Sequence, residues 1–245
     1  MLCLIIDLDN ILLLFSIQLT IIIFFILLVF KFLKVKEDLL NLYFIQFFKL
    51  FITGNIILTL FLNFIIINLN GIIVIIFYII SIFFYCIALA HLNIVNSLIL
   101  KSTITYTKSQ INRYLKLYGV FLLLGMIIIV ILLYNTSFNS DYFLFNVYFF
   151  LLLYSLAYVV IFSILPHYKK IQIILKKIKN LELKLYFQSF FKGIFGLYSI
   201  ILLEYFSIFL YFSIFKIILY ILMLSSVYWL YLVYKGLNKR LKKEN

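Results

Sequence analysis

From residue 71 to residue 92 the chain reads GIIVIIFYIISIFFYCIALAHL, without one Asp, Glu, Lys or Arg. A helix of this length, rising about 1.5 Å per residue, covers the roughly 30 Å of a bilayer's hydrocarbon core. The run is continuous and does not alternate between apolar and polar, so it does not fit a strand of a membrane barrel. A helix satisfies every backbone N–H and C=O within the segment. Similar runs precede and follow it. Across the chain 67% of residues are hydrophobic and mean hydropathy is +1.23, against about 45–50% apolar residues in soluble domains. No water-soluble fold hides that much apolar surface. The sequence therefore predicts an all-α membrane protein, a seven-transmembrane helical bundle forming one polytopic membrane domain over 1–245. Its spans are expected at about 11–30, 50–68, 71–92, 118–134, 142–165, 193–212 and 214–234. The tightest turns are expected at 68–71 and 213–216.

Basic residues set the orientation, because Lys and Arg accumulate on the cytoplasmic side of short loops. Lys31, Lys34, Lys36 and Lys49 flank the first loop, and Lys101, Lys108, Arg113 and Lys116 follow span three. Lys169, Lys170, Lys176, Lys177, Lys179, Lys184 and Lys192 follow span five, and a basic cytoplasmic tail, 235–245, holds Lys235, Lys239, Arg240, Lys242 and Lys243. Of the 21 basic residues, all but Lys216 thus fall on one side. The expected topology is N-terminus out and C-terminus in, in the cytoplasmic (inner) membrane of a bacterium. The same asymmetry accounts for the net charge of +13 by attraction to anionic inner-leaflet lipids, the expected partner. Direct nucleic-acid binding is not expected.

The entry into span two, Leu40-Asn41-Leu42-Tyr43-Phe44-Ile45-Gln46-Phe47-Phe48-Lys49, returns at the entry into span six as Leu183-Lys184-Leu185-Tyr186-Phe187-Gln188-Ser189-Phe190-Phe191-Lys192. A shorter echo, Leu115-Lys116-Leu117-Tyr118, opens span four. One leading helix followed by three homologous hairpins, spans 2–3, 4–5 and 6–7, explains the pattern. Convergence in a biased alphabet, with Tyr and Phe at the interface and Lys snorkelling to headgroups, explains it too.

Polar residues inside the spans are the candidate ligand or ion sites, because ionisable groups there cost roughly 2.5–3.5 kcal/mol. Glu204 is the acidic residue placed well inside a span, on a small and polar stripe with Gly193, Gly196, Ser207 and Tyr211. A cation site, a proton-linked switch or a ligand contact fits it, as does a protonated glutamic acid that holds helices together. Asn55, Thr59 and Asn63 form an i, i+4, i+8 stripe in span two, and Tyr78, Ser81, Tyr85 and Ala88 form one in span three. These faces are expected to meet, either as interhelical packing or as the lining of a ligand pocket. Gln18 and Thr20 in span one admit the same two readings.

The remaining motifs exclude more than they assign. Cys3 and Cys86 have no C-x-x-C spacing, and His91 and His167 have no second ligand at i±3 or i±4, so neither a metal site nor a cofactor is expected. Residues 1–10 lack the basic opening of a cleaved signal peptide. Ile171, Ile174, Ile178, Leu181 and Leu185 recur at three- and four-residue steps between Pro166 and Lys192. They predict an amphipathic helix, lying on the inner leaflet or extending the flanking spans, whose basic surface is Lys169, Lys170, Lys176, Lys177 and Lys179.

In layout the chain resembles the seven-transmembrane sensory input modules that bacteria place ahead of helix-turn-helix regulators or sensor kinases, with span seven running into a cytoplasmic linker at 235–245. The departure is that no output domain follows Asn245. The resemblance implies an integral membrane sensor or scaffold module that signals through a separate cytoplasmic regulator or kinase and binds a small or lipophilic ligand around spans two, three and six. A small transporter or ion permease using Glu204 is the alternative. A lipid-modifying membrane enzyme ranks last, since paired carboxylates and H-x-x-x-H spacing are missing, and no enzymatic activity is expected.

Overall fold

The computed structural model describes residues 8–33, 39–66, 71–100, 108–137, 143–207 and 213–242. They form α1 (Leu8–Leu33), α2 (Leu39–Ile66), α3 (Gly71–Leu100), α4 (Lys108–Ser137) and α5 (Phe143–Val159), then a π-helical turn (Val160–Ile164), α6 (Leu165–Lys177), α7 (Leu181–Ser207) and α8 (Ser213–Lys242). No strand occurs among the described residues. Six helical stretches are long and apolar enough to cross a membrane: Phe15–Leu33, Leu40–Phe61, Gly71–Ile99, Ser109–Asn135, Phe143–Lys177 and Leu181–Leu203. The seventh expected span falls within α8, where the side chains of residues 213–220 lie outside the described residues, and the six are counted without it.

The helices are longer than the apolar runs that nucleate them. Span two was expected from residue 50, yet α2 begins at Leu39, and span four from 118, yet α4 begins at Lys108. The reason is that the entry segments bury one face. Tyr43, Phe44, Phe47 and Phe48 are buried while Leu42 and Lys49 are exposed, so packing carries the helix beyond the uncharged run. The expected turn at 213–216 is corrected: these residues open α8, and serine is a residue that helix N-termini favour. Of the turn expected at 68–71, Gly71 opens α3 and the rest lies outside the described residues.

The amphipathic segment between Pro166 and Lys192 is two helices, not one. α6 continues α5 through the π turn, and α7 starts afresh after Asn180. The Asn180 Oδ1 accepts from the Leu183 N–H at 3.1 Å, capping α7, and Glu182 sits in the first turn where the helix dipole favours an anion. The segment thus extends both flanking spans.

The chain divides into two compact units. The first runs from Glu37 to Ile173 and holds α2 to α5, the π turn and most of α6; the second holds α1, the end of α6, α7 and α8. In the first, α2 packs along α3 and α4 along α5; in the second, α7 packs along α8, with α1 against α8. Part of the repeated sequence repeats its burial. Phe190 and Phe191 are buried as Phe47 and Phe48 are, and Leu185 and Lys192 are exposed as Leu42 and Lys49 are. In α4, Leu117 is exposed and Tyr118 buried, matching Leu42 and Tyr43. In the second unit, Gly193 and Gly196 let α7 approach α8 at Trp229 and Val233, and the Lys31 ammonium lies 5.0 Å from the Tyr234 ring centroid.

Candidate functional site

α2 and α3 pack along each other, and the polar side chains of their stripes donate hydrogen bonds within their own helices. The Asn55 Nδ2 donates to Phe51 O at 2.8 Å, the Thr59 hydroxyl to Asn55 O at 2.9 Å and the Ser81 hydroxyl to Tyr78 O at 2.8 Å. Such back-bonding satisfies a hydroxyl or amide in a dry environment without a second helix or a ligand. Between the helices the contacts are aromatic. Tyr85 lies over Gly54, where an added Cβ would stand 3.2 Å from its ring, and meets Phe51 edge-on at 5.5 Å. Phe61 packs on Tyr78 at 5.1 Å, and Asn63 is half-buried near the far end of α2. In the second unit Gln18 is buried and the Thr20 hydroxyl donates to Ser16 O at 2.8 Å. Glu204 and Ser207 belong to α7, and their side chains lie outside the described residues.

A different constellation gathers where α3, α4 and α6 come together. Its origin is Pro166. Proline has no N–H to donate, and its ring crowds the carbonyl four residues back, here Phe162. The helix answers by widening just upstream: Val160–Ile164 form a π turn in which the Leu165 N–H bonds Val160 O, five residues earlier. A π turn takes up one residue more than a regular turn, and α3 pairs with the chain on both sides of it. Before the turn the Tyr78 hydroxyl donates to Tyr148 O at 3.1 Å, a separation of 70 residues. After it, Asn96 bonds His167, a separation of 71. α3 and the α5–α6 rod therefore run side by side in the same direction.

This register brings two polar ladders together. Asn93, Asn96 and Ser97 stand at i, i+3 and i+4 on α3, and His167 and Lys170 at i and i+3 on α6. Asn96 and His167 are buried and joined side chain to side chain, Nδ2 to Nδ1. The Lys170 ammonium donates to Asn93 Oδ1 and Ser97 Oγ, both at 2.7 Å, and more distantly to Asn93 O at 3.4 Å. The Ser97 hydroxyl itself donates to Asn93 O at 2.9 Å, and Tyr114 of α4 lines the same cavity as Asn93. The other histidine, His91, is buried in α3 with Nδ1 2.9 Å from Ile87 O, its ring 6.0 Å from Tyr43. Both histidines are thus packed residues, not solvated interfacial ones.

Beside Lys170 lies a cavity of about 370 Å³. Asn93, Ser97, Tyr114 and Lys170 supply its polar wall, and Ile94, Ile111, Ile161, Phe162 and Pro166 its apolar one. α4 is fixed at its edge by a tyrosine ladder. The Tyr118 hydroxyl lies 2.9 Å from Ser163 Oγ in the π turn, the Tyr158 hydroxyl donates to Tyr118 O at 2.9 Å, and the Tyr154 hydroxyl to Phe121 O at 3.0 Å. Of the expected basic surface, Lys169, Lys176, Lys177 and Lys179 are exposed, whereas Lys170 turns inward to this wall. Among the described residues no three His, Cys, Asp or Glu side chains come close enough to share a metal ion. The chain matches no protein-family model, no curated protein and no solved structure.

Proposed function

We propose that this chain is a multi-pass membrane sensor or scaffold module that holds a lipophilic ligand in the cavity between α3, α4 and α6. The observation that supports this reading is the cavity beside Lys170, mostly apolar with a few convergent polar groups at one end. That is the usual make-up of a small-molecule site, and its volume falls within the usual range of about 300–1,000 Å³. A π turn at its wall fits too, since such turns recur at functional sites. In this reading α8 is the seventh span, the N-terminus lies outside, and Lys170 stands at the cytoplasmic end of the bundle in a bacterial inner membrane. Ligand occupancy between the α3 and α6 ladders sets how α6 and its exposed lysines are presented to a separate cytoplasmic regulator or kinase.

Photolabelling tests the ligand site. The protein in membranes is exposed to a diazirine-tagged lipid mixture, irradiated and digested. Label concentrated on the peptides of α3, α4 and the π turn, and competed by untagged lipid, is the expected result. Label spread evenly over all exposed apolar faces, including those of α1 and α8, sinks the assignment.

A further inference from the structure

The chemistry of the cavity wall names a ligand class, an inference that rests on the ligand-binding reading above. We infer that the ligand carries a phosphate group, its head at Lys170 and Tyr114 and its apolar part along Ile161 and Phe162. A lysine ammonium on the wall favours an anion over a neutral or cationic head, and the surroundings reinforce it. No Asp or Glu occurs in α2, α3, α4, α5 or α6. Arg113, next to Tyr114 in sequence, is exposed at the same end.

The hydrogen-bond inventory also fits an acceptor-rich head. The wall offers the Lys170 N–H groups, the Tyr114 O–H and the Asn93 amide. The Lys170 bond to Asn93 O is long at 3.4 Å and therefore weak. A phosphate oxygen at about 2.8 Å exchanges that contact for a charge-assisted one. On the apolar side, Ile161 and Phe162 are 57% and 50% exposed within a stretch apolar enough to span the membrane. An acyl chain arriving sideways from the bilayer meets them first. Lipid headgroup and free phosphate share the head chemistry, and the apolar rim adds what an acyl chain contacts.

The test uses the full chain in phosphatidylcholine nanodiscs, with retention of added lipid read by native mass spectrometry and its position by photolabelling. The probes are phosphatidic acid and the diacylglycerol with the same chains, which differ by the phosphate alone. Phosphatidic acid is expected to be retained about tenfold more than diacylglycerol, the worth of one charged hydrogen bond. Lys170→Gln removes most of that preference, Tyr114→Phe lowers it about threefold, and Lys170→Arg retains most of it. Lys169→Gln, which removes the same charge outside the cavity, changes it by less than about twofold. Millimolar inorganic phosphate that displaces the lipid marks a soluble phosphate as the natural head, and failure to displace marks a lipid; either supports a phosphate site. If Lys170→Gln does not assemble, Tyr114→Phe carries the test, because its hydroxyl sits on a partly exposed side chain. Equal retention of both lipids, with label still on α3, α4 and the π turn, overturns the phosphate inference and leaves the ligand site standing. Label absent from these helices removes both.

Discussion

Asn96 of α3 and His167 of α6 are buried together and joined by their side chains, although 71 residues separate them. Neither amide nor imidazole is compatible with an apolar interior unless it is hydrogen-bonded, so each holds the other in place. Their union fixes the depth at which α6 lies against α3, and with it the reach of Lys170 to Asn93 and Ser97.

Removing one member takes from the other a buried side-chain hydrogen bond. Asn96→Ala and His167→Ala are each expected to lower stability by about 1–3 kcal/mol, the cost of a buried polar group left without its partner. The double variant is expected to cost less than the sum, with a coupling of about 0.5–3 kcal/mol. Reversible unfolding in mixed micelles measures all three. Strict additivity would show that the pair contributes no mutual stabilisation.

Close helix approach in the second unit is more brittle than in the first. A Cβ at Gly193 would stand 2.7 Å from the backbone carbonyl oxygen of Trp229, and one at Gly236 would stand 2.6 Å from the backbone nitrogen of Phe190. Backbone cannot swing aside. At Gly125 the obstruction is the hydroxyl end of Tyr154, which can rotate away at the loss of its bond to Phe121 O. Gly193→Ala and Gly236→Ala are therefore expected to cost about 1–3 kcal/mol by overpacking, and Gly125→Ala distinctly less. Thermal melts of the three variants rank them, and a Gly125 variant as damaging as the others contradicts the argument.

The helices could be read from the sequence because lipid imposes a simple rule, and uncharged runs such as 71–92 obey it. Their ends could not, because the entry segments 40–49 and 108–117 interrupt the apolar runs with Asn, Gln, Lys and Arg yet stay helical and bury residues such as Tyr43 and Ile111. The site was legible in pieces only. Asn93, Asn96 and Ser97 on one helical face, and His167 with Lys170 on another, were visible as polar ladders at three- and four-residue steps. Pro166 was visible as a helix disruptor. What periodicity does not supply is the register between helices some 70 residues apart, and a one-residue shift turns a helix by about 100°. The stripe at Asn55, Thr59 and Ser81 is the more regular pattern in the sequence, yet the Asn55 Nδ2 and the Thr59 and Ser81 hydroxyls each donate within their own helix.

Pro166 is expected to control that register. In Pro166→Ala the missing N–H returns and the ring clash with Phe162 O disappears, which removes the reason for the π turn. Closing it to regular helix rotates everything after Ile164 by about 100° relative to α5 and withdraws Lys170 from α3. Cysteines at Ser97 and Lys170, in a background lacking Cys3 and Cys86, provide the readout. A short bifunctional thiol reagent is expected to join them in the proline-containing protein and several-fold less in the Pro166→Ala form. Equal cross-linking would mean that packing, not proline, maintains the π turn.

The crossing of α8 decides between six spans and seven, and labelling at three positions resolves it. Asn135 lies at the exposed far end of α4, and Lys176 on the exposed end of α6. With the basic loops in the cytoplasm, a membrane-impermeant maleimide is expected to label Asn135→Cys in intact cells and Lys176→Cys after lysis alone. The position of residue 245 then depends on α8. If α8 crosses, Asn245→Cys behaves like Lys176→Cys; if it does not, the C-terminus stays on the outer side and Asn245→Cys behaves like Asn135→Cys. The charge pattern favours the crossing, because Lys235, Lys239, Arg240, Lys242 and Lys243 would otherwise all sit outside, against the asymmetry that every other basic cluster of this chain obeys.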